Sequence, residues 1–237
     1  MLFRIKICGV TSPDDALVVA DSGADAIGLN FVPGSPRAID VERGRAIVAV
    51  VPAGVLKVGV FAGTPAVEIR RMGELLGLDA VQLHGHLTGD GPAVDPPGRC
   101  VELAGLPLIR AVRMESGEDP LAAARRWFAD AAALGAVPDM VVVDAAVARG
   151  TGAGHLGGTG LTVDWDALSA TRPLGPPVAL AGGLTPENVA AAVIASGARA
   201  VDTASGVESA PGRKDPGKVR AFVAHARAAL AGPAKRP

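Results

Sequence analysis

Eight short apolar runs recur along this 237-residue chain, each followed by a longer stretch of helical character, and that alternation restricts the fold more than any other feature. The runs are Phe3–Cys8, Ala26–Phe31, Leu56–Phe61, Ala80–His84, Leu108–Val112, Met140–Asp144, Val178–Ala181 and Ala200–Thr203. Most are nearly continuous in hydrophobic residues, as parallel strands covered on both faces must be. Helix starts are marked at Ser12-Pro13, Thr64-Pro65 and Thr185-Pro186, each predicting a hydroxyl N-cap followed by proline at the first helical position. Gly23, Gly77, Gly135 and Gly197 mark helix ends, spaced 54, 58 and 62 residues apart, so each interval holds about two strand–helix units. That regularity favours a closed barrel over an open doubly wound sheet.

One unit breaks the pattern. Thr88 to Gly105 is crowded with glycine and proline, which predicts a short or badly formed fourth helix. A linker between two domains is the competing reading, but neither side would then have enough strands to close a sheet. The expectation is an α/β fold: a single (β/α)8 TIM barrel over residues 1–231 with a degenerate fourth helix, and a flexible tail at 232–237.

Composition narrows the partner. A net charge of −1 without a long basic run argues against nucleic acid, which demands a positive surface. No apolar run approaches the roughly 20 residues of a membrane helix, and the stretch from Met1 to Ile7 does not read as a signal peptide. Two cysteines, Cys8 and Cys100, make no disulfide framework and suit a reducing, cytoplasmic location. The expected partner is a small molecule, and the expected assembly a monomer or homodimer.

In such barrels the active site lies at the C-terminal strand ends. The first run ends in Cys8, in isolation more often a small buried hydrophobe, alternatively a thiolate acting as base or nucleophile. The sixth ends in Asp144, either a loop cap or an acid facing Cys8 across the mouth. Gly182-Gly183 after the seventh run and Ser205-Gly206 after the eighth read either as turns or as a phosphate cradle. Their positions, after the last two strands, are where this fold places a phosphate, and favour the cradle. Arg37, in Ser35-Pro36-Arg37 after the second run, offers a fork suited to a carboxylate. The segment from Gly150 to Gly160 lacks the Lys-Ser/Thr ending of a nucleotide loop and reads as a lid. His84, His86, His155 and His225 do not form a metal set, so no metal is expected, and His84 reads as a structural residue.

Assembled, these residues resemble the phosphoribosylanthranilate isomerase family of tryptophan biosynthesis. The likeness runs from Lys6 to about Phe222, strongest in Lys6-Ile7-Cys8-Gly9-Val10-Thr11, Gly23 to Gly28 with Ser35-Pro36-Arg37, Val81 to Gly85, Ala181 to Val189 and Ser205 to Glu208. It departs at Ala145, Leu161 and Ala204, where the family usually carries Thr, Lys and Ser. The resemblance implies a phosphosugar substrate and a cofactor-free Amadori rearrangement, an aldose–ketose isomerisation. It assigns Asp144 as general acid, Cys8 as general base and Arg37 to the anthranilate carboxylate. Gly182, Gly183, Ser205 and Gly206 fall around the phosphate, and Asp202 near the sugar. The histidine-pathway isomerase is the nearest rival, and resembles a pattern with Asp in place of Cys8 and a second glycine cradle. A ribulose-phosphate epimerase wants metal ligands, and a non-catalytic phosphosugar-binding protein needs neither Cys8 nor Asp144.

Overall fold

The computed structural model describes residues 1–89, 91, 93–115, 119–148, 161–163, 165 and 174–232. The lid expected at 150–160 and residues 233–237 of the expected tail lie outside them. The strands in chain order are β1 (Ile5–Cys8), β2 (Ala26–Asn30), β3 (Leu56–Phe61), β4 (Ala80–Leu83), β5 (Leu108–Arg113), β6 (Met140–Asp144), β7 (Ala146–Ala148), β8 (Leu161–Val163), β9 (Val178–Ala181), β10 (Val201–Thr203), β11 (Glu208–Ala210) and β12 (Arg213–Lys214). The helices are α1 (Pro13–Asp21), α2 (Val41–Val48), α3 (Ala66–Leu76), α4 (Gly98–Glu102), α5 (Ala122–Ala133), α6 (Val189–Ser196) and α7 (Pro216–Leu230), with a 3₁₀ turn at Ser205–Val207.

Eight strands close a parallel barrel in the order β1, β10, β9, β6, β5, β4, β3, β2. These are the eight apolar runs read from the sequence, within two residues at each end. The short pairs β7–β8 and β11–β12 are antiparallel additions that the sequence reading did not include. The second turns through Pro211-Gly212, where the glycine takes φ +79°.

Alternation along each strand divides the core in two. Ile5, Ile7, Ile27 and Leu29 belong to the layer between strands and helices, packed with Val19, Ile69 and Phe222. Positions of the other parity turn inward, where Phe3, Ala26, Val58, Met140, Val142 and Ala179 form a separate cluster. The same parity points Lys6, Cys8, Asp144 and Asp202 into the lumen or its mouth.

The two-unit repeat has a structural basis. All four marker glycines take positive φ, at 83°, 58°, 77° and 67° for Gly23, Gly77, Gly135 and Gly197. The aspartate ahead of β2, β4 and β6 then reaches sideways, whereas Arg199 holds that position before β10: Asp25 accepts the Ile5 N–H at 2.8 Å, Asp79 that of Lys57 at 2.8 Å and Asp139 that of Leu108 at 2.8 Å. Each caps the free N–H at the foot of the preceding strand, so pairs of units share one device.

Helix entries are more varied than expected. Ser12 caps α1 as anticipated, its Oγ accepting the Asp15 N–H at 3.1 Å. At α3 the N-cap is Pro65 itself, and Thr64 makes no cap. Before α6 the cap position is Asn188 rather than Thr185. The Asn188 side chain accepts the Thr185 N–H at 2.8 Å and donates to the Gly183 carbonyl at 2.9 Å. The proline thus sits in a loop stitched by Asn188, and the helix starts later. The fourth helix is short, five residues, because the preceding Pro96 and Pro97 cannot extend it backwards.

Candidate active site

The wide face of the barrel gathers the polar strand ends. Cys8 is half-buried at the tip of β1 and pairs in register with Gly28 of β2. A Cβ on Gly28 would lie 2.5 Å from the Cys8 Sγ, so a side chain there would expel the thiol. Beneath it, Lys6 has no exposed surface, and its Nζ donates to Asp202 Oδ1 at 2.7 Å across the β1–β10 register. Burial alone would lower the Lys6 pKa, but Asp202 and the neighbouring Cys8 more than offset it and hold the ammonium above its usual range. The lumen floor therefore carries a fixed positive charge shared between a carboxylate and the thiol.

Asp144 stands across the mouth at the tip of β6, three strands round from β1. Arg113 Nη2 approaches its Oδ2 at 3.3 Å, but the Arg113 side chain is 71% exposed, so this is a loose, screened contact. Between the two lies His84, just beyond β4. Burial lowers its pKa below the usual 6.5, and Lys6 adds to the effect, while Asp202 and Asp144 pull the other way. The ring is therefore neutral at pH 7. Its Nδ1 stands 3.4 Å from Gln82 Nε2. With His86, Arg113, Val32, Ala62 and Asp144 it lines a cavity of about 480 Å³ opposite the ends of β9 and β10.

Arg37 does not stand alone. Its Nε and Nη2 both donate to Glu208, at 2.7 Å each, and its stem lies over Gly9. The Ser35 hydroxyl accepts the Arg37 N–H at 3.2 Å and an Asn30 side-chain N–H at 3.0 Å, fixing the turn. The guanidinium keeps 21% of the side chain open to solvent. Glu208 is held below the usual carboxylate range: burial would raise its pKa, and hydrogen bonds from Arg37 and Lys214 outweigh it.

The two glycine loops meet. Gly182 and Gly183 take φ of 89° and 63° after β9, and the 3₁₀ turn Ser205–Val207 follows β10. Thr203 Oγ1 donates to the Leu184 carbonyl at 2.7 Å, tying one loop to the other. Gly206 lies against the same carbonyl, and a Cβ there would sit 1.8 Å from its oxygen. Gly206→Ala is expected to force the loops apart at a cost of about 1–3 kcal/mol, read as a lowered urea midpoint with unchanged m-value. An unchanged midpoint would show that the loops are not packed this tightly.

Of the eight residues singled out in the sequence, seven lie at strand ends or in the loops that follow them, and Asp202 lies within β10 on the lumen side. Lys6, Glu208 and Lys214 join them here without having been singled out, and His84, read from the sequence as structural, lines the cavity at the mouth. Among the described residues no group of three or more His, Cys, Asp or Glu side chains is placed to hold a metal ion.

The family model for N-(5'-phosphoribosyl)anthranilate isomerase matches residues 5–225. The isomerase of that name from Rubrobacter xylanophilus is 39% identical over 224 residues, 94% of this chain and 98% of the relative. The crystal structure of the Thermotoga maritima isomerase, described as dimeric, superposes with a TM-score of 0.78 at 33% identity, covering 95% of this chain and 99% of that one. A second isomerase structure, in complex with reduced 1-(o-carboxyphenylamino)-1-deoxyribulose 5-phosphate, gives 0.76 at 32% identity with the same coverage. The chain belongs to the N-(5'-phosphoribosyl)anthranilate isomerase family of tryptophan biosynthesis.

Proposed function

We propose that this isomerase converts N-(5-phosphoribosyl)anthranilate to 1-(2-carboxyphenylamino)-1-deoxyribulose 5-phosphate by general acid–base catalysis without a cofactor. Asp144 protonates the ribose ring oxygen, and the ring opens to a protonated Schiff base. Cys8, as thiolate, removes the proton from C2 to give an enolamine, which tautomerises to the ketone. The carrying observation is the placement of Cys8 and Asp144 at strand ends around one mouth, with the Lys6–Asp202 pair between them at its floor. The cationic Schiff base that forms beside Cys8 offsets the negative charge of the thiolate that attacks the C2 proton.

The remaining residues orient the substrate. Gly182, Gly183, Ser205 and Gly206 surround the phosphate, Asp202 lies near the reacting sugar, and Arg37 holds the anthranilate carboxylate. With the phosphate at β9 and β10, the cavity beside His84 accepts the far end of the substrate. The free thiols of Cys8 and Cys100 suit a cytoplasmic setting, and the expected assembly is a monomer or homodimer.

Purified protein mixed with phosphoribosylanthranilate is expected to change the anthranilate fluorescence as product forms. No change in emission would leave only a phosphosugar-binding role. Arg37→Ala is expected to raise KM by roughly 10- to 150-fold with kcat little altered, the value of about 1.5–3 kcal/mol for hydrogen bonds to a charged group. An unchanged KM removes the carboxylate assignment.

A further inference from the structure

Lys214, on β12 of the small hairpin after the last barrel strand, has a side chain with no exposed surface. Its ammonium donates at 2.6 Å to the carbonyl of Cys8, at 3.1 Å to that of Ala204 and at 2.9 Å to Glu208 Oε1. A lysine has three donors and no acceptor, so these three bonds use all of them. Each ends on a different part of the site. Cys8 is the tip of β1, Ala204 is the residue from which the Ser205–Val207 turn departs, and Glu208 holds Arg37 through both its oxygens.

The hairpin that carries Lys214 is itself pinned. Thr11 Oγ1 donates to the Gly212 carbonyl, the Lys214 N–H reaches Asp15 Oδ2 at 3.3 Å, and Lys218 Nζ donates to the Glu208 carbonyl at 2.8 Å. Burial pulls the Lys214 ammonium below the usual lysine range, and Glu208 only partly offsets this. A buried charge of this kind is a weak source of stability, since an apolar side chain of similar volume often serves as well. What an apolar side chain cannot do is fix three oxygens in one geometry.

We propose that Lys214 and Glu208 are positioning residues of the active site: one buried ammonium sets the Cys8 strand end, the head of the phosphate turn and, through Glu208, the guanidinium of Arg37. This rests on the reading of Arg37 as the carboxylate contact and of Ser205 and Gly206 as phosphate contacts. Glu208 engages Nε and Nη2 along one edge of the fork and leaves Nη1 without a hydrogen-bond partner among the described residues, available to an incoming carboxylate. Lys214 and Cys8 are 206 residues apart in the chain, and Arg37 and Glu208 are 171 apart, so the arrangement joins the two ends of the barrel where it closes.

The test separates the two ends of the substrate by using inorganic phosphate and free anthranilate as competitive inhibitors, each reporting one subsite. Glu208→Gln keeps the shape but loses the charge and the bidentate grip on Arg37. It is expected to raise the anthranilate Ki about tenfold or more while the phosphate Ki stays within about twofold. Lys214→Met is expected to weaken both inhibitors and also to lower kcat, because the Cys8 carbonyl loses its donor. Should Lys214→Met fail to fold, Glu208→Gln alone decides. Equal weakening of both inhibitors in Glu208→Gln is the mark of general loosening and overturns the proposal. So does an anthranilate Ki unchanged in Glu208→Gln but raised in Arg37→Ala, which leaves the role of Arg37 standing. An anthranilate Ki unchanged in Arg37→Ala overturns both readings together.

Discussion

Replacing Cys8 by alanine is expected to lower kcat by about 10²–10⁴-fold, and Asp144→Asn to do the same, the range for loss of one positioned proton-transfer group. Binding of a reduced product analogue is expected to change little in either variant, because neither residue is a proposed contact of the phosphate or the carboxylate. Cys8→Ser sharpens the test. The hydroxyl nearly matches the thiol in size and fits beside Gly28, where a Cβ would stand 2.5 Å from Sγ, yet it does not ionise near neutral pH. It is therefore expected to fall almost as far as alanine. Retained turnover in Cys8→Ser would mean that the thiol only fills space. Asp144 has to deliver a proton in the step assigned to it, and its contact with the largely exposed Arg113 is loose and screened. Turnover surviving Asp144→Asn would move the acid role elsewhere, with His84 next in line by position.

The barrel was legible because its strands are short apolar runs with little else to become, and because glycine recurs ahead of β2, β4, β6 and β10, joined by aspartate ahead of the first three. Cys8, Asp144 and the two glycine loops were legible as polar or glycine-rich endings to those runs. Of the charges inside the runs, Lys6 carried no expectation and Asp202 entered only through the family resemblance. Lys6 in Ile5-Lys6-Ile7-Cys8 shares the inward parity of Cys8, and Asp202 in Val201-Asp202-Thr203 is the only acid in its strand. A charge in the middle of an apolar strand requires an opposite charge, so the pair could have been sought by sign and parity. Glu208 and Lys214 left no such mark. They sit in a polar Pro-Gly turn indistinguishable from a solvated surface loop until the barrel closes and brings Arg37 to it. Neither Thr64 nor Thr185 is a cap, because a hydroxyl before proline signals a turn as readily as a cap; at Thr185, Asn188 supplies the competing hydrogen bonds.

Arg110→Met is expected to cost about 3–5 kcal/mol, the value for breaking a buried ion pair from one side. For a domain of this size that lowers Tm by roughly 6–20 °C. Arg110 lies in the middle of β5 on the outward parity, with no exposed surface, and its guanidinium centre stands 5.0 Å from the Trp127 ring of α5. It donates to the Leu83 carbonyl at 3.0 Å and the Gly85 carbonyl at 2.6 Å, and lies 3.7 Å from Asp95. Asp95 accepts the Gly63 and Gly85 N–H groups at 3.1 and 2.8 Å, and its own carbonyl accepts the Trp127 indole. Burial pushes the Asp95 pKa up and pulls that of Arg110 down to about 10, so each charge depends on the other. This network replaces the missing turns of the fourth helix: it is what holds the loop after β4 in place over the short α4. His84 lies between the two carbonyls that Arg110 grips, so the loss is expected to reach the mouth as well. At a temperature where Arg110→Met remains folded, kcat/KM is expected to fall while inhibition by inorganic phosphate, whose proposed subsite lies on the opposite side of the barrel, is unchanged. A variant as stable as the wild type would show that α4 and its apolar contacts alone support the loop. A stable fold with weakened phosphate inhibition would show instead that the two sides of the mouth move together.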